Sequence, residues 1–411
     1  MASHGPRIMD QYEVILVAPN VSEQMGGEAI KALHIYLELA KQGVKVHQVT
    51  HVRVKAELDK KFPEMSVTYV PDTGLEKALY RSPLFEQTLN RAFLKAGLKV
   101  VEEMLTWNPR AVVHLTSPVS PILRYPSLPS SHVVIGPING NIHYPPGFLH
   151  RETRSYKVRR WLHGLMQARN RVLPDGKRQA AALLVAGGKR TYDSLRAGGC
   201  TENQLVDSID SGVQDRLALL PRITHTGVNP RFYHNGRLVE HKGTDLIIKA
   251  LALTKLPIEL TIIGRGPELP KMRALVKEMA LDNRVIFIEW VANHEDLAEM
   301  LRQYRAFVFP SLAEANGIVV QEAMVQGLPV IACDWGGPSL LVTPETGFLI
   351  PPRDEEFVIE ELAAKMDQLA QDGELAERMS IAARKRALDK HFIWSDIIKE
   401  WRTVYARIAP K

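Results

Sequence analysis

The chain has 411 residues, of which 45% are apolar and 24% charged, with a net charge of +6. That length exceeds what a single core organises and suits two domains, and the balance excludes an intrinsically disordered chain. No run of about 18 uncharged apolar residues occurs, which excludes a membrane-spanning helix.

The polar residues 1–11 lack the apolar stretch of a secretory signal. Residues 12–18 are β-rich and lead through a glycine-containing loop into a helical pattern over 28–42, ended by Gly43. Strands are expected over 44–49, 111–115, 133–135 and 181–185, with a long helical region over 75–105. Strand, loop and helix alternate in the manner of a parallel doubly wound sheet.

Between these strands lies a basic stretch. Residues 151–171 carry seven Lys or Arg and one acid, Glu152, mixed with Tyr156, Trp161, Leu162, Leu165 and Met166. A helix of this kind either lies on an anionic membrane surface or is a solvated cover over a cleft. The segment 211–230, with Gly212, Pro221, Gly227 and Pro230, has weak periodicity and reads as an interdomain linker. A second β/α series follows, with strands expected over 232–235, 259–263, 285–288, 306–309, 330–332 and 348–350. Two Rossmann-like halves are therefore expected to face a central cleft, the usual place for a ligand. They span 1–215 and 228–390.

Four loops of the second half can carry chemistry. Gly236-Arg237 and His241-Lys242-Gly243 set two cations beyond a strand end, where glycines let a diphosphate approach the backbone. Gly264-Arg265-Gly266-Pro267 is a tight turn on the same rim. After the strand over 306–309, Glu314 falls in the loop and a helix is expected from Gly317 to Gly327. Free amides near Gly317, Ile318 and Val319 can hold phosphate oxygens. Glu322, a turn and a half inside, can accept both hydroxyls of a ribose, and Glu314 can reach a sugar. Asp334-Trp335-Gly336-Gly337-Pro338 is a further glycine loop. Each glycine loop taken alone also reads as a plain β-to-α turn.

Taken in order, Gly-Arg-Leu…Lys-Gly, Ile-Gly-x-Gly-Pro, Glu314-x7-Glu322-Ala-Met-x2-Gly-x-Pro-Val-Ile and Gly-Gly…Thr-Gly-Phe-Leu resemble the retaining family-four glycosyltransferases, over most of residues 230–352. The resemblance implies the GT-B fold and transfer of a hexose from a UDP- or GDP-sugar to an acceptor hydroxyl. Arg237 and Lys242 would hold the diphosphate, Glu322 the ribose, and Glu314 would face the sugar near its anomeric carbon. Asn316, Gly317, Ile318 and Val319 would contact the sugar and β-phosphate, and the base would rest near Arg265 and the turn ending at Val291. Asn20 to Gly26-Gly27 is similar to the family's first-domain glycine loop beside the phosphate, or is a simple strand-to-helix turn; the tail 391–411, with Trp394, Trp401 and Tyr405, looks like the family's final helix, which returns to the first half.

The pattern departs in three places. Many family members have a histidine where Gly136-Pro137 stands here, and in a subset with a similar loop Asn139 and Asn141 would face the sugar. His143 is then a candidate for the missing imidazole, or a polar loop residue; His241 and His294 read as surface loop histidines. Glu289 replaces a glycine common in the base-binding turn, and no Asp-x-Asp motif occurs, so chemistry without a metal or cofactor is expected.

The expected acceptor is a sugar, a glycolipid or a lipid-linked molecule in bacterial polysaccharide or glycoconjugate assembly, with no nucleic-acid partner. With only Cys200 and Cys333 there is no disulfide framework, and the expected location is the cytoplasm or the inner face of its membrane. Two rival readings share the architecture: a sugar-nucleotide epimerase or hydrolase, and a sugar-nucleotide-binding protein without turnover.

Overall fold

The computed structural model describes residues 12–74, 86–291 and 294–410. The expectation for residues 1–11, and the start of the helix expected over 75–105, lie outside them. The chain forms two compact units. The first comprises Met1–Asn141, Leu162–Asp210 and Trp394–Lys411; the second comprises Ile142–Trp161 and Ser211–Ile393.

The first unit holds a parallel sheet of β1 (Glu13–Val17), β2 (Lys45–His51), β3 (Val67–Val70), β4 (Val112–Leu115), β5 (Val133–Ile138), β6 (Ala182–Val185) and β7 (Leu205–Asp207). Their order is β3-β2-β1-β4-β5-β6-β7. The strands are apolar on both faces because helices cover both. From β1, Val14 and Leu16 pack with Ala32, Leu33 and Tyr36 of the Gly27–Lys41 helix. Ile15 and Val17 enter the opposite layer with Phe93, Leu94 and Leu98 of the Glu86–Trp107 helix.

The helix Trp394–Ile408 belongs to this first unit although it ends the chain. Trp394, Ile397, Ile398, Trp401 and Tyr405 recur at helical spacing and are all buried. Two polar ends fix the seat: Trp401 Nε1–H donates to Ser208 Oγ at 2.9 Å. The Tyr405 hydroxyl donates to His114 Nδ1 at 2.7 Å, while His114 Nε2–H donates to the Gly136 carbonyl at 2.9 Å. Burial pulls His114 down to about 3, so the ring stays neutral.

The second unit holds β8 (Arg231–Asn235), β9 (Glu259–Ile263), β10 (Val285–Ile288), β11 (Ala306–Phe309), β12 (Val330–Cys333) and β13 (Gly347–Ile350), all parallel. Their order, β10-β9-β8-β11-β12-β13, reverses direction between β8 and β11. In open sheets of this kind ligands bind at the carboxyl ends beside such a reversal.

Four expectations change. β3 and β7 are strands that the pattern did not announce: β3 is half-exposed and β7 is three residues long. Gly136-Pro137-Ile138 continues β5 instead of forming a loop. The presumed linker is built into the second unit: it contains the helix Asp215–Leu219, and Ile223 N–H donates to the Gln326 carbonyl at 2.9 Å. Lastly, Ile142–Trp161 groups with the second unit. Tyr144 and Phe148 are buried in that unit's core, so apolar packing overrides position in the sequence.

Candidate functional site

Five loops at the carboxyl ends of β10, β9, β8, β11 and β12 are locked together by backbone contacts. Gly236 N–H donates to the Ile263 carbonyl at 3.0 Å, and Gly264 N–H to that of Ile288 at 2.8 Å. Gly264 has φ +145°, and a Cβ there would stand 1.9 Å from the Gly236 carbonyl oxygen. Gly243 is left-handed at φ +69°, and its Cβ would meet the Pro310 oxygen at 2.4 Å. These glycines are required by close backbone approach, not only by turning.

Lys242 ends a short turn, Glu240–Lys242, and its ammonium donates to the Glu314 carboxylate. Both side chains are 16% exposed, and the ammonium also lies 4.9 Å above the Phe309 ring centre. Arg237 is exposed; its carbonyl accepts from Val239 N–H at 3.0 Å, and its guanidinium has no hydrogen bond or ion pair to another described residue. Its charge, with those of Lys242 and Glu314, is felt at His241. His241 is half-buried and is lowered chiefly by burial; its carbonyl accepts from Leu312 N–H at 2.7 Å. It is therefore part of this cluster and not a surface loop residue. His294 opens the helix His294–Leu301 instead of lying in a loop.

The helix Ile318–Gln326 starts and stops on glycines: Gly317 at φ +87° and Gly327 at φ +85°. No side chain caps its start, and the N–H groups of Ile318 and Val319 have no partner among the described residues. Such amides form an anion site when a cation stands nearby. Glu314 Oε1 accepts from Asn316 N–H at 3.4 Å. One and a half turns inside, Glu322 stands among Tyr233, Asn235, Val319 and Gln326. Burial alone pushes its carboxyl up to about 7, and no described residue pairs with it. A carboxylate left without a partner beside an open helix start is poised to accept hydroxyl donors.

The remaining residues singled out in the sequence divide between the units. Arg265 is exposed, 3.7 Å from Glu289, which also pairs with Arg273 at 3.3 Å; Val291 is partly exposed just past β10. These stand on the same rim as Lys242 and Glu322. Gly26, Gly27 and Asn139 belong to the first unit. Gly26 caps the Gly27–Lys41 helix, and nothing lies within 4 Å of a Cβ at either glycine. Asn139 Oδ1 accepts from Arg190 at 2.8 Å. His143 is half-buried in the second unit, and burial is the main cause that lowers it.

Two features escaped sequence reasoning. Trp335 Nε1–H donates to the His143 carbonyl at 2.7 Å. Arg151 chelates Asp245 at 2.7 and 3.1 Å and reaches Glu355 at 2.5 Å. Their partners lie between 94 and 204 residues away, and no local spacing announces such pairs.

The helix Arg154–Val172 exposes Val158, Trp161, Leu165 and Val172, with Trp161 73% exposed. At 100° per residue these four fall on one narrow stripe, flanked by Lys157 and Arg169, with Arg154 on the stripe at the helix start. Gln167 and Asn170 face the buried side. Among the described residues no helix is long and apolar enough to cross a membrane, and no cluster of His, Cys, Asp and Glu could hold a metal ion. Cys200 and Cys333 are buried and unpaired.

Comparisons with known proteins agree with this architecture. Residues 223–386 match the family model "Glycosyl transferases group 1". The alpha-D-kanosaminyltransferase of Streptomyces kanamyceticus is 32% identical over 175 residues, covering 42% of this chain and 44% of that protein. The N-acetyl-alpha-D-glucosaminyl L-malate synthase of Bacillus anthracis is 29% identical over 162 residues, covering 39% and 40%. These matches span less than half the length of either relative. Among solved structures, Anabaena Alr3699/HepE in complex with UDP superposes with a TM-score of 0.64 at 16% identity, covering 96% of this chain and 100% of that one. The two parallel α/β units thus have the GT-B glycosyltransferase fold.

Proposed function

We propose that the protein is a glycosyltransferase that moves a hexose from a UDP- or GDP-sugar to an acceptor hydroxyl, with retention at the anomeric carbon. The observation that carries the reading is the convergence of Lys242, Glu314, the uncapped start of the Ile318–Gln326 helix and the unpartnered Glu322 on one rim. The family match over 223–386, and relatives that are named as glycosyltransferases, support it.

Arg237, Lys242 and the amides of Ile318 and Val319 hold the diphosphate. Glu322 accepts the ribose hydroxyls, Glu314 faces the sugar with Asn316 and Gly317, and the base lies by Arg265 and Val291. As the bond from the anomeric carbon to the β-phosphate oxygen breaks, charge gathers on the leaving diphosphate. The cations and helix amides stabilise that charge without a metal or other cofactor. The acceptor oxygen bonds to the same face of the anomeric carbon, and its proton passes to the departing phosphate. His143 is the candidate imidazole near the sugar.

The acceptor is a sugar, glycolipid or lipid-linked molecule of bacterial polysaccharide or glycoconjugate assembly. The apolar stripe of the Arg154–Val172 helix, with its flanking cations, supports contact with an anionic inner membrane surface. Calorimetry with UDP and GDP, followed by transfer assays, tests the reading. Arg237→Ala is expected to bind nucleotide weakly and to lose most turnover; full activity in that variant would overturn the diphosphate assignment. Conversion of the sugar nucleotide without an acceptor would instead favour epimerase or hydrolase chemistry.

A further inference from the structure

Two contacts of Ile142–Trp161 reach the rim loops of the second unit, and both lead to Glu314. Along the first, Trp335 Nε1–H donates to the His143 carbonyl at 2.7 Å. The loop that Trp335 opens is seated on Glu314: Gly337 N–H donates to the Glu314 carbonyl at 2.8 Å. A Cβ at Gly336 would stand 2.4 Å from that same oxygen, so the loop cannot shift without moving the Glu314 backbone. Along the second, the Tyr156 ring packs edge-on against Tyr144, with centroids 5.3 Å apart, and lies 6.4 Å from the His241 ring. His241 immediately precedes Lys242, whose ammonium grips the Glu314 carboxylate.

The segment itself is firmly anchored. Phe148 is fully buried, and a Cβ at Gly147 would stand 1.6 Å from the Arg353 carbonyl oxygen. Arg151 is tied to both Asp245 and Glu355. A rigid brace therefore meets Glu314 from its main-chain side and from its side-chain side.

We propose that Ile142–Trp161 is a strap that positions Glu314, with Trp335 and Tyr156 as the positioning residues that set the sugar half of the donor pocket. The ribose and base contacts stand apart from it: Glu322 is fixed by a helix bounded by Gly317 and Gly327, and Arg265 and Val291 stand beyond β9 and β10, so only the Tyr156 arm passes a phosphate-holding residue, Lys242. The inference rests on the donor-site reading above and assigns to the strap the discrimination between a sugar nucleotide and a bare nucleotide. A reacting centre is sensitive to displacements of about 1 Å, so loss of one brace is enough to register.

The test compares UDP with UDP-glucose, and GDP with GDP-mannose, by calorimetry on the full chain. The variants are Trp335→Phe, which keeps an aromatic ring but is smaller and lacks the indole N–H, and Tyr156→Leu; unfolding midpoints establish that each is folded. His150→Ala, on the same strap but turned to solvent against Glu355, serves as the control. In Trp335→Phe the bare nucleotide is expected to bind within about twofold of wild type, while the dissociation constant of its sugar ester rises about tenfold; in Tyr156→Leu, whose arm passes Lys242, the sugar ester is expected to weaken about tenfold more than the bare nucleotide, and slow donor hydrolysis falls in step in both. The control is expected to match wild type. Equal weakening of nucleotide and sugar nucleotide would show a merely structural strap and overturn the proposal, as would unchanged sugar-nucleotide affinity in both variants. If wild type binds none of the four probes, the donor-site reading falls first and the strap's role with it.

Discussion

The ammonium of Lys242 and the carboxylate of Glu314 form an ion pair 72 residues apart in sequence, each side chain only 16% exposed. In the free protein each neutralises the other, so an arriving diphosphate exchanges one anion for another at Lys242 instead of meeting a bare cation. Lys242→Ala is expected to raise the dissociation constant for UDP or GDP about 10- to 100-fold, the worth of a charge-assisted contact. Lys242→Arg is expected to recover part of that affinity. Calorimetry on the three proteins checks both; equal affinities would remove Lys242 from the phosphate site.

Glu322 sets a pH dependence. Its carboxyl is raised from the ordinary 4.5 to about 7 by burial, so the folded state binds a proton between those values that the unfolded chain has released. The stability this lends is complete below about 4.5 and is lost as pH rises through 7. Ribose hydroxyls need the ionised form, so nucleotide affinity is expected to rise over pH 6 to 8. Glu322→Gln is expected to flatten that rise, weaken binding, and gain on the order of 1–2 kcal/mol in denaturant unfolding at pH 8. An unchanged pH profile in the variant would dissociate Glu322 from the nucleotide.

The glycine rim is sterically constrained. Gly264→Ala forces a Cβ to 1.9 Å from the Gly236 carbonyl oxygen at a φ of +145°, which L side chains rarely adopt. A loss of roughly 2–4 kcal/mol is expected in chemical denaturation, from overpacking combined with backbone strain. Gly26→Ala is the contrast. No atom lies within 4 Å of its Cβ, so it is expected to cost under about 1 kcal/mol.

Much of this was legible in the sequence. The glycine-punctuated pattern of the second half places β8 to β13 within a residue or two, and it places the Ile318–Gln326 helix between its two glycines. The resemblance of the tail to the family's final helix anticipates Trp394–Ile408 and its place in the first unit. What was not legible depends on long-range packing. A three-residue strand such as β7 carries too little pattern to stand out. Ile142–Trp161 follows a first-unit strand and joins the second unit only because Tyr144 and Phe148 find its core and Arg151 finds Asp245 and Glu355. His241 read as a surface residue because nothing local reveals that Tyr156 comes to lie beside it.

The Arg151 node has a stability signature of its own. The Arg151 guanidinium holds the Glu355 carboxyl down at about 2, so its contribution is present above 4.5 and is lost as pH falls toward 2. Arg151→Met is expected to destabilise by about 1–3 kcal/mol at pH 7, because it leaves the Asp245 and Glu355 carboxylates with Lys249 and, at Glu355, the exposed His150. The difference from wild type should shrink in denaturant titrations at pH 3. A penalty independent of pH would assign the effect to packing alone.

The exposed stripe gives a separate test of membrane contact. Wild-type protein is expected to co-sediment with vesicles containing phosphatidylglycerol and not with pure phosphatidylcholine, and to be released by salt as Debye screening shortens the range of attraction. Trp161→Ser with Leu165→Ser is expected to abolish binding. Equal recovery from both vesicle types, or none from either, would remove the membrane from the account.

The central claim is that the second unit's rim captures the pyrophosphate of an activated sugar, and a crystal structure with UDP or GDP bound tests it most directly. The account requires the β-phosphate within hydrogen-bonding distance of Lys242 or Arg237 and of the Ile318 or Val319 amides, with both ribose hydroxyls on Glu322. A nucleotide bound elsewhere, or one whose phosphates leave the Lys242–Glu314 pair and the helix start untouched, would contradict it.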